Sequence, residues 1–387
     1  MAIVEGVGGV PRSDFTKNQD IRYKKINKNK KKSDRPTLCK TCYVTLNTYI
    51  FSFGLMEKDS KTNIKKGNRF KSKSFSTHLS GPLVACSFEI IPQPNRSPGP
   101  RYGHVAVSNE KNMFVYGGKG SGKYFNEYLW VFDTQQNSWA QHNTNGDRPT
   151  CVYNSRATLT NHYIILFGGW AGDSKYSNDV HRLNIDTLEW ERIVTTGAKP
   201  KERYAHVQWH SEEELIVFGG YNGSLLNETL RLNMKTMHWT IPALTGNPPS
   251  PRYNCAYSQR GDEGFLFGGV GDGSTHYNDI YAFNFTTNVW RNIQTTGTLP
   301  CVRSAASMNV VREDDIVICG GAERGFKTLA DCWVLNVENK EWKEIKEHKF
   351  DGQYFHTSCS INEHLYIYGG LDESRKTIGY VGNFSFV

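Results

Sequence analysis

Ile164-Ile-Leu-Phe-Gly-Gly169 is an apolar run that ends in a glycine pair, and this pattern recurs along most of the 387-residue chain. The glycine pairs begin at Gly117, Gly168, Gly219, Gly268, Gly320 and Gly369. Their successive spacings are 51, 51, 49, 52 and 49 residues. A short apolar run before paired glycines predicts a buried strand that ends in a sharp turn, because glycine adopts positive φ without a steric penalty. Six such strands at a near-constant interval indicate an internal repeat.

Further markers hold the same register within each repeat. After the first five glycine pairs an acidic residue heads a second apolar run, at Glu127, Asp179, Glu228, Asp279 and Asp331. A tryptophan then follows, at Trp139, Trp190, Trp239, Trp290 and Trp342. With the strand that opens each repeat, this pattern predicts four short strands per unit. We expect the tryptophans to pack between neighbouring units.

A period near fifty residues, four strands, a glycine pair and a tryptophan together resemble the kelch repeat. The resemblance covers residues 86–387. It implies an all-β fold, a six-bladed propeller of four-stranded antiparallel blades around a central channel.

The sixth repeat predicts how the ring closes. Its third strand would begin near Ile378, and the sequence stops before a sixth tryptophan. In complete repeats the tryptophan lies thirteen residues before the arginine of the next repeat, and thirteen residues before Arg101 stands Phe88. We therefore expect the N-terminal strand around Phe88 to complete the sixth blade and bury its open edge.

The N-terminal residues differ from the repeats in composition. Residues 1–85 carry a net charge of +12, whereas residues 86–387 carry −4. Residues 1–80 show no usable apolar periodicity, so we expect a basic and largely disordered arm. Its lysines between Lys24 and Lys32 could serve nuclear import, but no aromatic residues interleave with them as single-strand binding requires. We therefore expect no specific nucleic-acid partner.

The sequence also limits the compartment. No apolar stretch approaches the roughly 18 residues of a membrane span, and no apolar leader opens the chain, so we expect neither a membrane partner nor secretion. Nine cysteines, an odd number scattered through strand-like segments, indicate free thiols in a reducing compartment. The expected location is the cytoplasm or the nucleus.

One end of the predicted channel collects arginines and aromatic residues. At the start of the innermost strand the repeats read Arg101, Val152, Arg203, Arg252, Arg303 and Gln353. The next column reads Tyr102, Tyr153, Tyr204, Tyr253, Ser304 and Tyr354. Trp170 and Tyr221 directly follow their glycine pairs and should lie at the same end.

Two roles are open for this arginine column. The arginines could belong to the scaffold and bond a loop carbonyl or the acid that heads the third strand. Alternatively, Arg101, Arg203, Arg252 and Arg303 converge on a ligand carboxylate, because a guanidinium fork matches a carboxylate. In that case Tyr102, Tyr204, Tyr253, Tyr354, Trp170 and Tyr221 would form the walls of a ligand-binding site.

Within the kelch family, three segments are most similar to the kelch domain-containing ten subgroup: Tyr354-Phe-His356, Leu365-Tyr-Ile-Tyr-Gly-Gly370 and Ile318-Cys-Gly-Gly321. The resemblance implies a substrate receptor of a cullin-2 ubiquitin ligase that binds a peptide's C-terminal carboxylate at the channel mouth. Such receptors bind elongin through a helical box after the propeller, and this sequence ends within the last blade. The alternative is a cytoskeletal or signalling scaffold without a ligase role.

The sequence carries no catalytic motif. Cys39-x-x-Cys42 is a lone cysteine pair with no second pair at metal-binding spacing. His104, His206 and His356 recur as a strand column, which favours packing over catalysis. We expect a protein-binding module rather than an enzyme, with no metal and no cofactor.

Overall fold

The computed structural model describes residues 86–93, 96–346 and 348–386. These residues form six mainly antiparallel sheets, one for each repeat, around a central channel, and a small seventh sheet that pairs Lys119–Gly120 with Lys123–Tyr124. The six-bladed propeller predicted from the repeats is confirmed. The arm predicted for residues 1–80, which holds the lone cysteine pair, lies outside the described residues.

The strands of each blade are labelled a to d from the channel outward. Blade 1 consists of Val105–Ser108, Asn112–Tyr116, Tyr128–Asp133 and Ser138–Asn143. Blade 2 consists of Arg156–Leu159, Tyr163–Phe167, Val180–Asn184 and Glu189–Ile193. Blade 3 consists of Val207–His210, Glu214–Tyr221, Leu225–Asn233 and His238–Thr240.

The remaining three blades follow the same order. Blade 4 consists of Ala256–Arg260, Glu263–Phe267, Ile280–Asn284 and Val289–Asn292. Blade 5 consists of Ser307–Arg312, Asp315–Cys319, Cys332–Asn336 and Glu341–Ile345. Blade 6 consists of Thr357–Ile361, His364–Tyr368, Val381–Phe386 and, as strand d, Cys86–Ile91.

The ring closes through this N-terminal strand, as predicted. Cys86–Ile91 pairs antiparallel with Val381–Phe386 over six residue pairs. Phe88 lies opposite Phe384, in the position that a tryptophan occupies in the other blades, and the two ring centroids are 4.7 Å apart. The closing strand therefore replaces a tryptophan with a phenylalanine in the same register.

The strand-d tryptophans join neighbouring blades. Each packs on the aromatic residue that precedes the glycine pair of the blade before it. The centroid distances are 4.8 Å for Tyr116–Trp190, 5.3 Å for Phe167–Trp239, 4.8 Å for Phe218–Trp290, 5.5 Å for Phe267–Trp342 and 5.1 Å for Tyr368–Trp139. The predicted packing role of the tryptophans is confirmed.

Blades 2 to 5 hold a fifth, two-residue strand that the repeat pattern did not predict. These segments are Asn145–Gly146, Thr196–Gly197, Thr245–Gly246 and Thr296–Gly297. Each lies in the connection from the preceding blade and pairs in parallel with strand d. At Gly246 φ is +81°, and a Cβ would lie 2.1 Å from the Trp290 carbonyl oxygen, so a side chain is excluded there. Two residues are too few to show a periodic pattern.

Helix is scarce in the described chain. Two three-residue 3₁₀ turns, Asp272–Ser274 and Arg324–Phe326, lie between strands b and c of blades 4 and 5. Across residues 86–386, apart from the short gaps, no helix is long and apolar enough to cross a membrane.

Candidate functional site

A closed ring of six backbone hydrogen bonds surrounds the channel just before the strands a begin. Each amide donates to the carbonyl of the equivalent residue in the preceding blade, with N···O distances of 2.8–3.0 Å. The six residues, which we call the collar, are Gly103, Asn154, Ala205, Asn254, Ala305 and Phe355. All six have φ between +47° and +61°, a backbone conformation that residues other than glycine rarely adopt. Because each collar residue follows the tyrosine column directly, the collar fixes the position of the aromatic side chains.

The predicted aromatic residues meet beside the collar. Together with two residues outside the predicted set, Tyr153 and Phe355, they form what we call the aromatic wall: Tyr102, Tyr153, Trp170, Tyr204, Tyr221, Tyr253, Tyr354 and Phe355. Neighbouring rings lie 5.3–6.4 Å apart between centroids. Most of these side chains are half-buried, so they offer both apolar faces and hydroxyl groups at the mouth.

Three hydroxyl groups of the wall are kept in the protonated form by burial. Burial raises the pKa of Tyr102, Tyr253 and Tyr354 above the usual value for tyrosine. A neutral phenol can donate a hydrogen bond to an incoming carbonyl or carboxylate oxygen. The wall can therefore pack against side chains of a peptide and bind its polar backbone.

The four predicted arginines do not reach the surface of the mouth. Each is at most 2% exposed. In each case Nη1 donates to the carbonyl of the first glycine of its own blade's pair: Arg101 to Gly117 at 3.1 Å, Arg203 to Gly219 at 2.9 Å, Arg252 to Gly268 at 3.1 Å and Arg303 to Gly320 at 3.0 Å. Ligand binding by Arg101, Arg203, Arg252 and Arg303 stays a prediction, and this geometry instead favours the scaffold role.

Three of these arginines also bind the acid that heads strand c. The Arg303 guanidinium contacts the two Asp331 carboxylate oxygens at 2.8 and 2.7 Å, whereas Arg203 reaches Glu228 only at 3.4 Å. Burial on its own would raise the pKa of Asp331, but the Arg303 hydrogen bond and charge outweigh it, so the pKa is lowered. One guanidinium thus fastens strands a, b and c of a blade, which is a structural function.

Arg101 has no acidic partner among the residues that the structure describes. Its guanidinium carbon lies 4.2 Å from the ring centroid of Phe125, and Nη2 donates to the Pro98 carbonyl. Burial lowers the pKa of Arg101 to about 10, which still leaves it charged at neutral pH. Stacking on an aromatic ring and backbone acceptors replace the carboxylate here.

Past the collar, a cavity of about 380 Å³ runs along the inner strands of all six blades. Among the described residues that line it, Arg156 is the only arginine or lysine. Its Nε donates to the His206 carbonyl at 2.9 Å and Nη1 donates to the Ser155 carbonyl at 3.1 Å. Nη2 has no hydrogen-bond partner in the described part of the chain, and the guanidinium lies 5.6 Å from the ring centroid of Tyr257. Within the described residues, Arg156 therefore keeps an unpaired donor inside the channel.

Several polar atoms of residues that line this cavity are buried and have no partner in the described residues. They are Asn154 Nδ2, Ser155 Oγ, Gln208 Oε1, Asn254 Oδ1 and Ser258 Oγ. A buried polar group left unpaired costs about 1–3 kcal/mol. Water or the polar atoms of a ligand must therefore satisfy these groups, and the channel suits a polar guest.

Sequence reasoning missed this interior site. Arg156 stands four residues after Val152, in a column that otherwise reads Val105, Val207, Ala256, Ser307 and Thr357. An arginine among small and apolar residues was the available signal. The prediction concentrated on columns that recur, whereas Arg156 occurs once.

The recurring histidines are packing residues. His104 Nε2 lies 2.6 Å from the Thr357 hydroxyl, and His356 Nε2 lies 2.9 Å from the Ser307 hydroxyl. Burial lowers the pKa of His104 and His206 well below the usual value and that of His356 to about 4. Within the described ranges, no group of three or more His, Cys, Asp or Glu side chains is placed to hold a metal ion.

Comparisons with known proteins agree with this architecture. The family model described as the KLHDC2/KLHL20/DRC7 kelch-repeats domain matches residues 18–207 and 154–370. Kelch domain-containing protein 10 of Xenopus laevis is 29% identical over 340 residues, which cover 81% of this chain and 82% of the relative. Kelch domain-containing protein 2 of Bos taurus is 29% identical over 309 residues, which cover 70% of this chain and 76% of the relative.

A solved structure shares the fold. The structure of YjhT superposes with a TM-score of 0.62 at 17% sequence identity. The superposition covers 75% of this chain and 95% of the YjhT chain. At this identity the likeness concerns the fold and not the ligand.

Proposed function

Because the chain belongs to the KLHDC2/KLHL20/DRC7 kelch-repeats family, in which propellers are typically protein-interaction modules rather than enzymes, we propose that it binds a peptide through the channel mouth and holds the peptide's carboxylate inside the channel. The observation that carries the proposal is Arg156, whose Nη2 has no hydrogen-bond partner among the described residues and lies in the channel past the collar. The ligand is a protein segment with a C-terminal carboxylate. Its last side chains pack on the wall, and its carboxylate passes the collar to Arg156.

The chemistry of the channel supports this ligand. A guanidinium in a partly dehydrated channel binds a carboxylate more strongly than it would in water. Asn154 Nδ2 is a buried donor without a partner in the described residues, and a carboxylate oxygen would satisfy it. The protonated wall tyrosines can donate to the peptide carbonyls that precede the terminus.

The biological role that we propose is a substrate-recognition or adaptor subunit of a cullin-RING ubiquitin ligase. The support is the resemblance of its repeats to the kelch domain-containing ten subgroup, which implies elongin and cullin-2 as partners. The proposed location is the cytoplasm or the nucleus, in keeping with seven free cysteines among the described residues. Co-purification of elongin and cullin-2 with the tagged full-length chain tests this role, and their absence from the complex would contradict it.

The binding proposal is tested with peptides that carry free or amidated C-termini. Full-length protein should prefer the free carboxylate by about tenfold or more, the change that one charge-assisted contact supports. Arg156→Ala should remove this preference. Arg182→Ala is the matched control, because Arg182 pairs with Glu191 on the outer face of blade 2. Equal binding of both peptide forms, or an unchanged preference in Arg156→Ala, would contradict the proposal.

A scaffold role through the blade edges is the second candidate. Val194 is 86% exposed and Ile241 is 67% exposed, and both follow strand d on the outer edges of adjacent blades. Exposed aliphatic residues at neighbouring edges favour a flat partner surface. In that case Val194→Asp with Ile241→Asp should abolish partner capture while Arg156→Ala leaves it intact.

A further inference from the structure

Blade 2 departs from the repeat at the buried arginine. Val152 stands where blades 1, 3, 4 and 5 have an arginine. Its carbonyl accepts the Gly118 amide at 2.9 Å, just as the Arg203 carbonyl accepts the Gly169 amide at 2.9 Å. The two residues therefore occupy equivalent positions at this hydrogen bond. The short valine side chain cannot reach the atoms that a guanidinium contacts in the other blades.

Those atoms form a repeated set of acceptors. The Arg252 guanidinium donates to the Ser250 carbonyl at 3.1 Å and to the Gly268 carbonyl at 3.1 Å. It also contacts the two Asp279 carboxylate oxygens at 2.6 and 3.1 Å. The equivalent acceptors of blade 2 are the carbonyls of Thr150 and Gly168 and the carboxylate of Asp179.

A second difference lies beneath the guanidinium, where blades 1 and 4 carry an aromatic ring. Arg101 stacks over Phe125 at 4.2 Å, and Arg252 stacks over Tyr277 at 4.1 Å. The equivalent residue of blade 2 is Ser177, which makes the same backbone hydrogen bond to its glycine pair. Blade 2 thus lacks both the buried cation and the large side chain that supports it.

The structure has a cavity at this place. Its volume is about 640 Å³, and Thr150, Asp179 and Ser177 are among its lining residues. We call it the socket. Arg192 Nη2 donates to Asp179 Oδ1 at 2.7 Å, and the Arg192 side chain is 59% exposed. The carboxylate thus already accepts a guanidinium, but from a solvent-facing residue rather than a buried one.

We propose that the socket binds the arginine side chain of a partner polypeptide. Two residues that line the socket, Thr150 and Asp179, carry a carbonyl and a carboxylate that match the donors of a planar guanidinium fork, which a lysine ammonium cannot satisfy together. Tyr176 also lines the socket and offers a ring edge or face to the guest. The cations that line it, Lys175, Arg192 and Lys199, are exposed and can turn toward water.

The socket adjoins the aromatic wall. Tyr176 stacks on Tyr204 of the wall, with centroids 5.7 Å apart and planes inclined by 17°. A polypeptide held at the channel mouth can therefore extend over Tyr176 and place an arginine in the socket. The socket does not use Arg156 or the channel, so its test is independent of the carboxylate proposal.

The experiment uses full-length protein and acetyl-arginine amide as the probe, observed by saturation-transfer NMR. Acetyl-citrulline amide, which is neutral and nearly isosteric, is the ligand control. We expect binding of the arginine probe and about tenfold weaker binding, or none, of the citrulline probe. Equal saturation transfer to both probes, or to neither, overturns the proposal.

Variants locate the binding site. Val152→Arg should fill the socket with an internal guanidinium and weaken probe binding by about tenfold or more. Asp179→Asn, which leaves the side-chain volume nearly unchanged, should also weaken probe binding. It serves as the test variant if Val152→Arg does not fold. Asp186→Asn is the matched control, because Asp186 pairs with His162 on the exposed edge of the same blade. Binding that survives both Val152→Arg and Asp179→Asn overturns the proposal, whereas Arg156→Ala should leave it unchanged.

Discussion

The amide of Gly103 donates a 3.0 Å hydrogen bond to the carbonyl of Phe355, and this bond joins the first blade to the last. It completes the collar, in which every residue has positive φ. Strand pairing at Cys86–Ile91 closes the ring on its outside, and the collar closes it at the channel. The ligand mouth is therefore bounded by backbone atoms that cannot move in one blade alone.

The collar predicts opposite outcomes for two small substitutions. Gly103→Ala should destabilise the fold by about 2 kcal/mol or more, because a left-handed alanine costs about 1–2 kcal/mol and its Cβ would lie 2.4 Å from the Tyr153 ring. Ala205→Gly removes the side chain from a residue whose φ is +54°. Its free energy of unfolding should stay within about 1 kcal/mol of the wild-type value. Urea unfolding of both variants measures the difference, and equal stabilities would contradict it.

The closing strand predicts a large loss from one side chain. Phe88→Ala removes ring contacts with Phe384 and with Phe350, at 4.7 and 5.5 Å between centroids. We expect a loss of about 3 kcal/mol in the free energy of unfolding, because large-to-small changes in aromatic clusters leave cavities. Glu89→Ala, on the exposed face of the same strand, is the control and should change stability by less than about 0.5 kcal/mol.

The buried arginines predict a graded series. Arg303→Met leaves the Asp331 carboxylate without its two-point partner and should cost about 3 kcal/mol or more. Arg203→Met should cost less, because its contact with Glu228 is a single one at 3.4 Å. Chemical denaturation of both variants measures which one loses more free energy of unfolding. A larger loss at Arg203 than at Arg303 would show that the carboxylate contact is not what distinguishes them.

His356 predicts a pH dependence of stability. Its folded pKa of about 4 lies below the ordinary value of 6.5, because burial disfavours the charged ring. As the pH falls, the unfolded chain takes up the proton first, so stability is full above pH 6.5 and declines between pH 6.5 and about 4. The decline amounts to about 1.4 kcal/mol per pH unit for one such group.

The measurement compares unfolding at pH 7 and pH 5 in the wild type and in His356→Asn. The variant should lose less stability on acidification than the wild type. His104 and His206 act in the same direction, so both proteins should still become less stable in acid. A wild type and a variant with identical pH slopes would contradict a neutral, buried His356.

The repeat markers predicted the fold because they encode packing that every blade needs. The glycine pairs end strands b, the tryptophans join blades, and the register of Phe88 relative to Arg101 located the closing strand. These features depend on residue type and spacing alone. The sequence therefore carried the number of blades and the mode of closure.

The site was only partly predictable. The aromatic column was found and lies at the mouth, but residue type does not tell whether an arginine points to a ligand or to an acid of its own blade. Asp331 lies 28 residues after Arg303, and only the folded blade brings them within 2.7 Å. Arg156 and the positive φ of Ala205 leave no repeating signal. Features that occur once, or that depend on backbone conformation, needed the structure.

The pairing of Cys86–Ile91 with Val381–Phe386 has a consequence for biosynthesis. The ribosome makes the first strand about 300 residues before its partner, so the ring cannot close while the sixth blade is still in the exit tunnel. Until then the nascent propeller is an open arc with unpaired edges at both ends, which is the state most exposed to aggregation. Closure is therefore a late, long-range event, and it sets how long the unpaired strands of the nascent chain stay exposed.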